Sequence, residues 1–216
     1  MFHEYIFHDR IDAGIQLAKK LKKYQGDPGV ILAVPRGGVM VAYAVAKELG
    51  FPMGLILVKK LGHPMNKEYA IGAVSLTDEY VIPHENVSQE YIDAETDRIR
   101  KRLKKMYPKF STEEEIQNVA GKTVIVIDDG IATGNTLLVT VRMLKLKQPA
   151  KIVVAVPVAS QSAIQKLSKE VDEVISVASP EIFYGVGSFY ENFEQVTDSE
   201  VIYYLERLHR EMKQTG

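Results

Sequence analysis

The sequence predicts an α/β fold: a doubly wound, mostly parallel sheet with a small helical and antiparallel insertion and a C-terminal flap, all in one domain over residues 1–216. Three observations lead there. Runs that are apolar at every position recur at 30–34, 124–127 and 152–156, as strands covered on both faces require. Each run precedes a stretch whose apolar residues recur at helical spacing. Clusters of glycine, proline and aspartate separate the two kinds of segment.

Taken in order, residues 10–23 align Ile11, Ile15, Ala18 and Leu21 on one helical face, with Asp9 as the N-cap. Gly26-Asp27-Pro28-Gly29 breaks the chain, and strand 30–34 runs into Pro35-Arg36-Gly37-Gly38. A helix over 39–49, ended by Gly50, leads to an apolar strand over 55–58. Residues 59–68 are expected to form an exposed loop, and 70–76 pairs antiparallel with 80–82 around Thr77-Asp78-Glu79. A highly charged helix over 88–107 carries a narrow stripe of Ile92, Ile99, Leu103 and Met106 and stops at Pro108. The central strand, 123–127, precedes a helix over 135–147. Strands over 152–156 and 173–177 flank a helix over 162–168. Residues 185–193 are aromatic and glycine-rich, and a closing helix over 198–212 aligns Val201, Leu205, Leu208 and Met212. The insertion, a lid with its charged helix, is placed at 60–118 and the flap at 179–197.

Composition narrows the function classes. A formal net charge of −1 argues for neither a nucleic-acid nor a membrane partner. The chain has no cysteine, which excludes disulfides, thiolate metal sites and cysteine nucleophiles. The N-terminus does not read as a signal peptide, and the longest apolar run falls far short of the ~20 residues that span a bilayer, so a cytoplasmic protein is expected. The five histidines show no zinc-ligand spacing.

The chemistry concentrates at 124–136, Val-Ile-Val-Ile-Asp-Asp-Gly-Ile-Ala-Thr-Gly-Asn-Thr. Asp128 and Asp129 stand where a buried strand ends, where carboxylates are costly without partners. A turn with a helix N-cap accounts for the pair alone. It does not account for the whole series: Gly130 and Gly134 admit a ligand to the backbone, and Thr133, Asn135 and Thr136 crowd a helix N-terminus suited to phosphate. Both this loop and Pro35-Arg36-Gly37-Gly38 follow strand carboxyl ends, where ligands bind in doubly wound sheets.

The stretch 124–136 resembles the phosphoribosyl pyrophosphate (PRPP) signature of the type I phosphoribosyltransferases, matching it at every position. The resemblance implies that Asp128 and Asp129 contact the ribose hydroxyls and act in catalysis with Arg36. It further implies that Ala132, Thr133, Gly134, Asn135 and Thr136 cradle the 5′-phosphate, and that Arg36, Gly37 and Gly38 grip pyrophosphate in a loop that often holds an unusual non-proline peptide. It implies Mg²⁺ as cofactor, carried mainly by substrate oxygens and water, with Asp128 and Asp129 behind the water. PRPP and a nitrogenous base are the implied partners, and a homodimer the implied assembly.

The segments Val58-Lys59-Lys60-Leu61-Gly62, Ala70-Ile71-Gly72-Ala73-Val74 and Phe183-Tyr184-Gly185-Val186-Gly187-Ser188-Phe189-Tyr190 resemble one little-characterised branch of that family. The chain departs from the branch after the charged helix, where Tyr107-Pro108-Lys109-Phe110 replaces a Tyr-Arg-Gly type segment.

Four features keep more than one reading. Lys59 and Lys60 either reach pyrophosphate or lie solvated, and Gly62 to Glu68 is either a lid or a plain hairpin loop. The basic run Arg98, Arg100, Lys101, Arg102, Lys104 and Lys105 reads better as a solvated face beside Asp93, Glu95 and Asp97 than as a nucleic-acid surface, and a nearby phosphate ligand is a third reading. Tyr184, Phe189, Tyr190 and Phe193 either stack on a base or pack the flap onto the core. The functional expectation is transfer of 5-phosphoribosyl from PRPP to a nitrogenous base. The alternative is a regulator that binds PRPP without chemistry.

Overall fold

The computed structural model describes residues 5–84, 86–106 and 119–215, so the Tyr107-Pro108-Lys109-Phe110 segment lies outside the described residues. Among the described residues, α-helices and strands follow in the order α1 (Arg10–Leu21), β1 (Gly29–Ala33), α2 (Gly37–Leu49), β2 (Met53–Leu55), β3 (Lys59–His63), β4 (Asn66–Val74), β5 (Glu79–Val81), α3 (Gln89–Met106), β6 (Thr123–Ile127), α4 (Asn135–Lys145), β7 (Lys151–Val158), α5 (Gln161–Leu167), β8 (Glu173–Ala178) and α6 (Asp198–Thr215). Five strands form one parallel sheet in the order β2-β1-β6-β7-β8, and β3-β4-β5 form a separate antiparallel sheet. The parallel sheet and the small antiparallel insertion both agree with the expected fold class.

The continuous apolar runs are explained by burial on two faces. Ile31, Ala33, Ile125, Ile127, Val153 and Ala155 join one core with α1, α2 and α6. Their alternate neighbours Val30, Leu32, Val124, Val126, Ile152 and Val154 join another with α4 and α5. A strand with period-two side chains that meets helices on both sides has no polar face. Asp9 caps α1 by accepting from the Asp12 N–H, and Gly50 ends α2 at φ 71°, a left-handed conformation that suits glycine.

Two segments depart most from expectation. β2 starts at Met53 and stops at Leu55, because the apolar run 56–58 leaves the sheet while Ile56 and Leu57 stay buried. Residues 59–68 are no loop. They are β3, a two-residue turn at Pro64-Met65 and the start of β4. Their polarity hides a hairpin whose one large apolar core side chain, Leu61, is fully buried. α3 lies over this small sheet through Ile92, Ile99 and Leu103, and the Tyr91 hydroxyl donates to the Gly62 carbonyl at 2.7 Å. Among the described residues no helix is long and apolar enough to cross a membrane.

The strand order places the site. From β1 the chain steps through α2 to β2 on one side, and from β6 through α4 to β7 on the other. The loops after β1 and β6 therefore diverge, and the opening between them lies at the carboxyl edge of two adjacent, in-register strands.

Candidate active site

β1 and β6 end level, with Ala33 opposite Ile127 and the Val34 N–H donating to the Ile127 carbonyl at 2.8 Å. The next residues on one side are Pro35-Arg36-Gly37-Gly38 and on the other Asp128-Asp129. A β-carbon on Gly37 would sit 1.8 Å from Asp129 Oδ2, and one on Gly38 would sit 2.8 Å from the Ile127 carbonyl oxygen and 2.9 Å from Asp128 Cα. Only glycine lets the two loops come this close. The Pro35–Arg36 peptide bond is cis, the unusual non-proline peptide that the resemblance implied for this loop.

The two carboxylates have different surroundings. Asp129 Oδ2 accepts from Arg10 Nε at 2.9 Å, and both side chains are largely buried. Asp128 Oδ1 accepts the Asp129 backbone N–H at 2.8 Å. Burial first, and the Asp129 carboxylate second, push the Asp128 carboxyl well above the usual carboxylate range. One acid thus has a fixed cation for a partner, and its neighbour bears the cost of desolvation.

Sequence reasoning does not single out Arg10. It is 7% exposed, its guanidinium carbon lies 3.9 Å from the centre of the Phe193 ring, and Nη1 donates to the Glu194 carbonyl at 2.8 Å. A signal is nevertheless present: a cation in the first turn of α1 opposes the helix dipole, a local cost that calls for a partner elsewhere.

A cleft of about 460 Å³ opens here, lined by Arg10, Arg36, Gly37, Lys59, Phe193 and Val196 among others. Arg36 turns toward the flap: Nη1 donates to the Val196 carbonyl at 3.1 Å and Nε lies 3.1 Å from Asp198 Oδ1. Asp198 is exposed, so this pair is weak and exchangeable for a phosphate. Lys59 lines the cleft, whereas Lys60 lines a neighbouring one.

The 132–136 loop borders Asp128–Gly130 but is not among the residues lining the cleft. Gly134, at φ 69°, is the N-cap of α4 and has no side chain to cap it. Ala132, Thr133 and Thr136 are exposed. Lys166 Nζ donates to the Thr133 carbonyl at 2.9 Å and to Asn135 Oδ1 at 2.7 Å, which places a cation beside this helix start.

The aromatic flap divides. Tyr190 corrects the base-stacking expectation: it is 2% exposed, packed between Phe7 and Phe193, and its hydroxyl donates to the Asp129 carbonyl at 2.6 Å. With both faces covered it offers none to a base. Phe189 packs on Phe183 and lies half-buried, and Tyr184 is 76% exposed and outside the cleft lining. Phe193 is the aromatic that does line it.

Comparison with known proteins supplies the family. The phosphoribosyl transferase domain family model matches residues 6–194. The chain belongs to the phosphoribosyltransferase family. A Mycobacterium tuberculosis protein, in strains H37Rv and CDC 1551, whose name assigns it provisionally to the phosphoribosyl transferases is 35% identical over 98% of this chain. The chain spans about half (49%) of the length of those relatives. The crystal structure of TT1426 from Thermus thermophilus superposes with a TM-score of 0.83 at 35% identity, covering 94% of this chain and 98% of that one. This phosphoribosyltransferase chain thus shares its fold with a protein of nearly the same extent.

Proposed function

We propose that this chain moves the 5-phosphoribosyl group of PRPP to a nitrogen of a nitrogenous base and releases pyrophosphate, with Mg²⁺ as cofactor. One observation carries the reading: two in-register strand ends bring Asp128 and Asp129 against the Arg36-Gly37-Gly38 loop beside a cleft that a sugar phosphate can enter.

The carboxylates accept hydrogen bonds from neighbouring ribose hydroxyls, and their charge favours the oxocarbenium-like character that develops at the sugar as the glycosidic bond breaks. The exposed N–H groups and hydroxyls at the start of α4 receive the 5′-phosphate. Arg36, released from its exposed pair with Asp198, and Lys59 meet the leaving pyrophosphate. Arg10 positions Asp129.

No group of three or more metal-binding side chains occurs among the described residues. Two carboxylates, each with one oxygen already engaged, fit an ion held chiefly by the donor's oxygens and water. Asp128 and Asp129 would hold Mg²⁺ there through water, and it would supply charge neutralisation for the departing pyrophosphate.

The test is pyrophosphate release from PRPP and Mg²⁺ across a panel of purines, pyrimidines and other nitrogen acceptors. Release with at least one acceptor, abolished by Asp128→Asn with Asp129→Asn in a folded protein, supports the reading. Tight PRPP binding with silence across the panel would move the assignment to a regulator.

A further inference from the structure

A second cleft of about 540 Å³ adjoins the first, with Lys59 common to both. It is lined by Lys59 and Lys60 of β3, Lys67 of β4 and Glu95, Arg98 and Arg102 of α3. The helical contribution follows from spacing: residues 95, 98, 99 and 102 lie at i, i+3, i+4 and i+7, one face of a helix, and Ile99 seats that face on the small sheet. Five cations therefore converge from three elements on one cleft.

One acid, Glu95, lines the cleft with them. Glu95 receives Arg98 at 2.8 and 2.6 Å and lies 3.8 Å from Lys67. Arg102 has no acidic partner among the described residues. Burial first, and then the charges of Arg102 and Arg36, hold the Lys59 ammonium below the usual lysine range. A chain of net charge −1 has no overall excess of cations to place here by default. The transfer chemistry above uses neither Lys67, Arg98 nor Arg102.

We propose that this cleft is a second anion site that takes an oligophosphate chain, free or as the polyphosphate of a nucleotide, and that communicates with the donor site through Lys59. An oligophosphate fits better than a nucleic-acid backbone for two reasons. The cations ring a cleft rather than line an open ridge. The exposed residues of α3 outside the cleft mix Glu90, Asp93 and Asp97 with Lys101, Lys104 and Lys105, so that face offers an extended polyanion no continuous run of cations. Communication follows because Lys59 has a single ammonium: a ligand in the second cleft that engages it withdraws it from the pyrophosphate end of the donor, and the two ligands weaken each other reciprocally. The communication rests on the donor reading, while the binding does not.

The experiment is calorimetric titration of sodium tripolyphosphate, and of ATP, into the wild-type chain and into Lys67→Ala/Arg102→Ala, Lys59→Ala and Arg36→Ala, each checked for folding by circular dichroism. Wild type should bind tripolyphosphate saturably. Lys67→Ala/Arg102→Ala should bind it about tenfold or more weakly, as loss of two charge-assisted contacts implies, with PRPP affinity unchanged. PRPP and tripolyphosphate should compete in the wild type and cease to do so in Lys59→Ala. Tighter binding of ATP than of tripolyphosphate marks a nucleotide as the ligand, and equal binding marks the phosphate chain alone. Absence of saturable binding, weakening in Arg36→Ala but not in Lys67→Ala/Arg102→Ala, or preferential binding of a single-stranded oligonucleotide at the same residues would overturn the proposal. Loss of PRPP binding with tripolyphosphate binding intact would sink the donor reading and leave this site standing.

Discussion

The two clefts that share Lys59 are built on opposite plans. At the β1/β6 edge, buried fit sets the geometry. Gly37 and Gly38 admit the opposite loop, Arg10 holds Asp129, and the Tyr190 hydroxyl holds the Asp129 carbonyl. Between β3, β4 and α3, exposed and half-buried side chains on a hairpin and a charged helix surround the space, and among the lining residues cations outnumber acids. The difference teaches where each kind of specificity resides. Closely packed backbone selects a shape, whereas a surplus of charge on long side chains selects a sign and tolerates many shapes.

The sharpest way to break that contrast is to remove one arginine from each cleft. Arg10→Ala should cost about 2–4 kcal/mol of stability, since it strands the largely buried Asp129 carboxylate, and should weaken PRPP binding as well. Arg98→Ala should cost under about 1 kcal/mol, because its pair with Glu95 is mostly exposed on the arginine side. Denaturant unfolding measures both, and equal costs would show that the second cleft is held as tightly as the first. A smaller effect follows at the backbone. Gly38→Ala must push its methyl group into the Ile127 carbonyl and the Asp128 backbone, so it should cost about 1–3 kcal/mol and lower PRPP affinity in the same variant. A neutral result in both readouts would mean that the loops are not interlocked.

The same contrast explains what is legible in the sequence. The central strand reads from sequence over its observed span, 123–127, because four consecutive buried β-branched residues leave little else to be. The sheet class follows from runs of that kind. The hairpin at 59–68 is hidden because lysine, histidine, proline and asparagine outnumber its one large core residue, Leu61. Arg10 escapes notice since its partner lies 119 residues away, and no local pattern announces such a pair. Tyr190 reads as a stacking residue because composition records an aromatic ring without recording which of its faces are covered. Local chemistry is readable, and long-range pairing is not.

The smallest predicted effect has the opposite sign from the others and separates the two neighbouring acids. The folded protein holds Asp128 well above the usual carboxylate range, so in the interval between the unfolded and folded values the native state binds the extra proton. Wild-type stability is therefore fullest below the unfolded value and falls as pH rises through the folded one. Asp128→Asn removes the charge while its amide oxygen still accepts the Asp129 N–H. The variant should unfold at a higher temperature than wild type at neutral pH, and the difference should vanish as pH falls below the ordinary carboxylate range. Asp129→Asn should show the reverse at neutral pH, because it leaves Arg10 buried without its anion. Thermal unfolding of the two variants between about pH 4 and pH 8 reads both trends. Melting curves that shift in the same direction for both substitutions would show that the pair acts as one charge and not as a partnered acid beside a strained one.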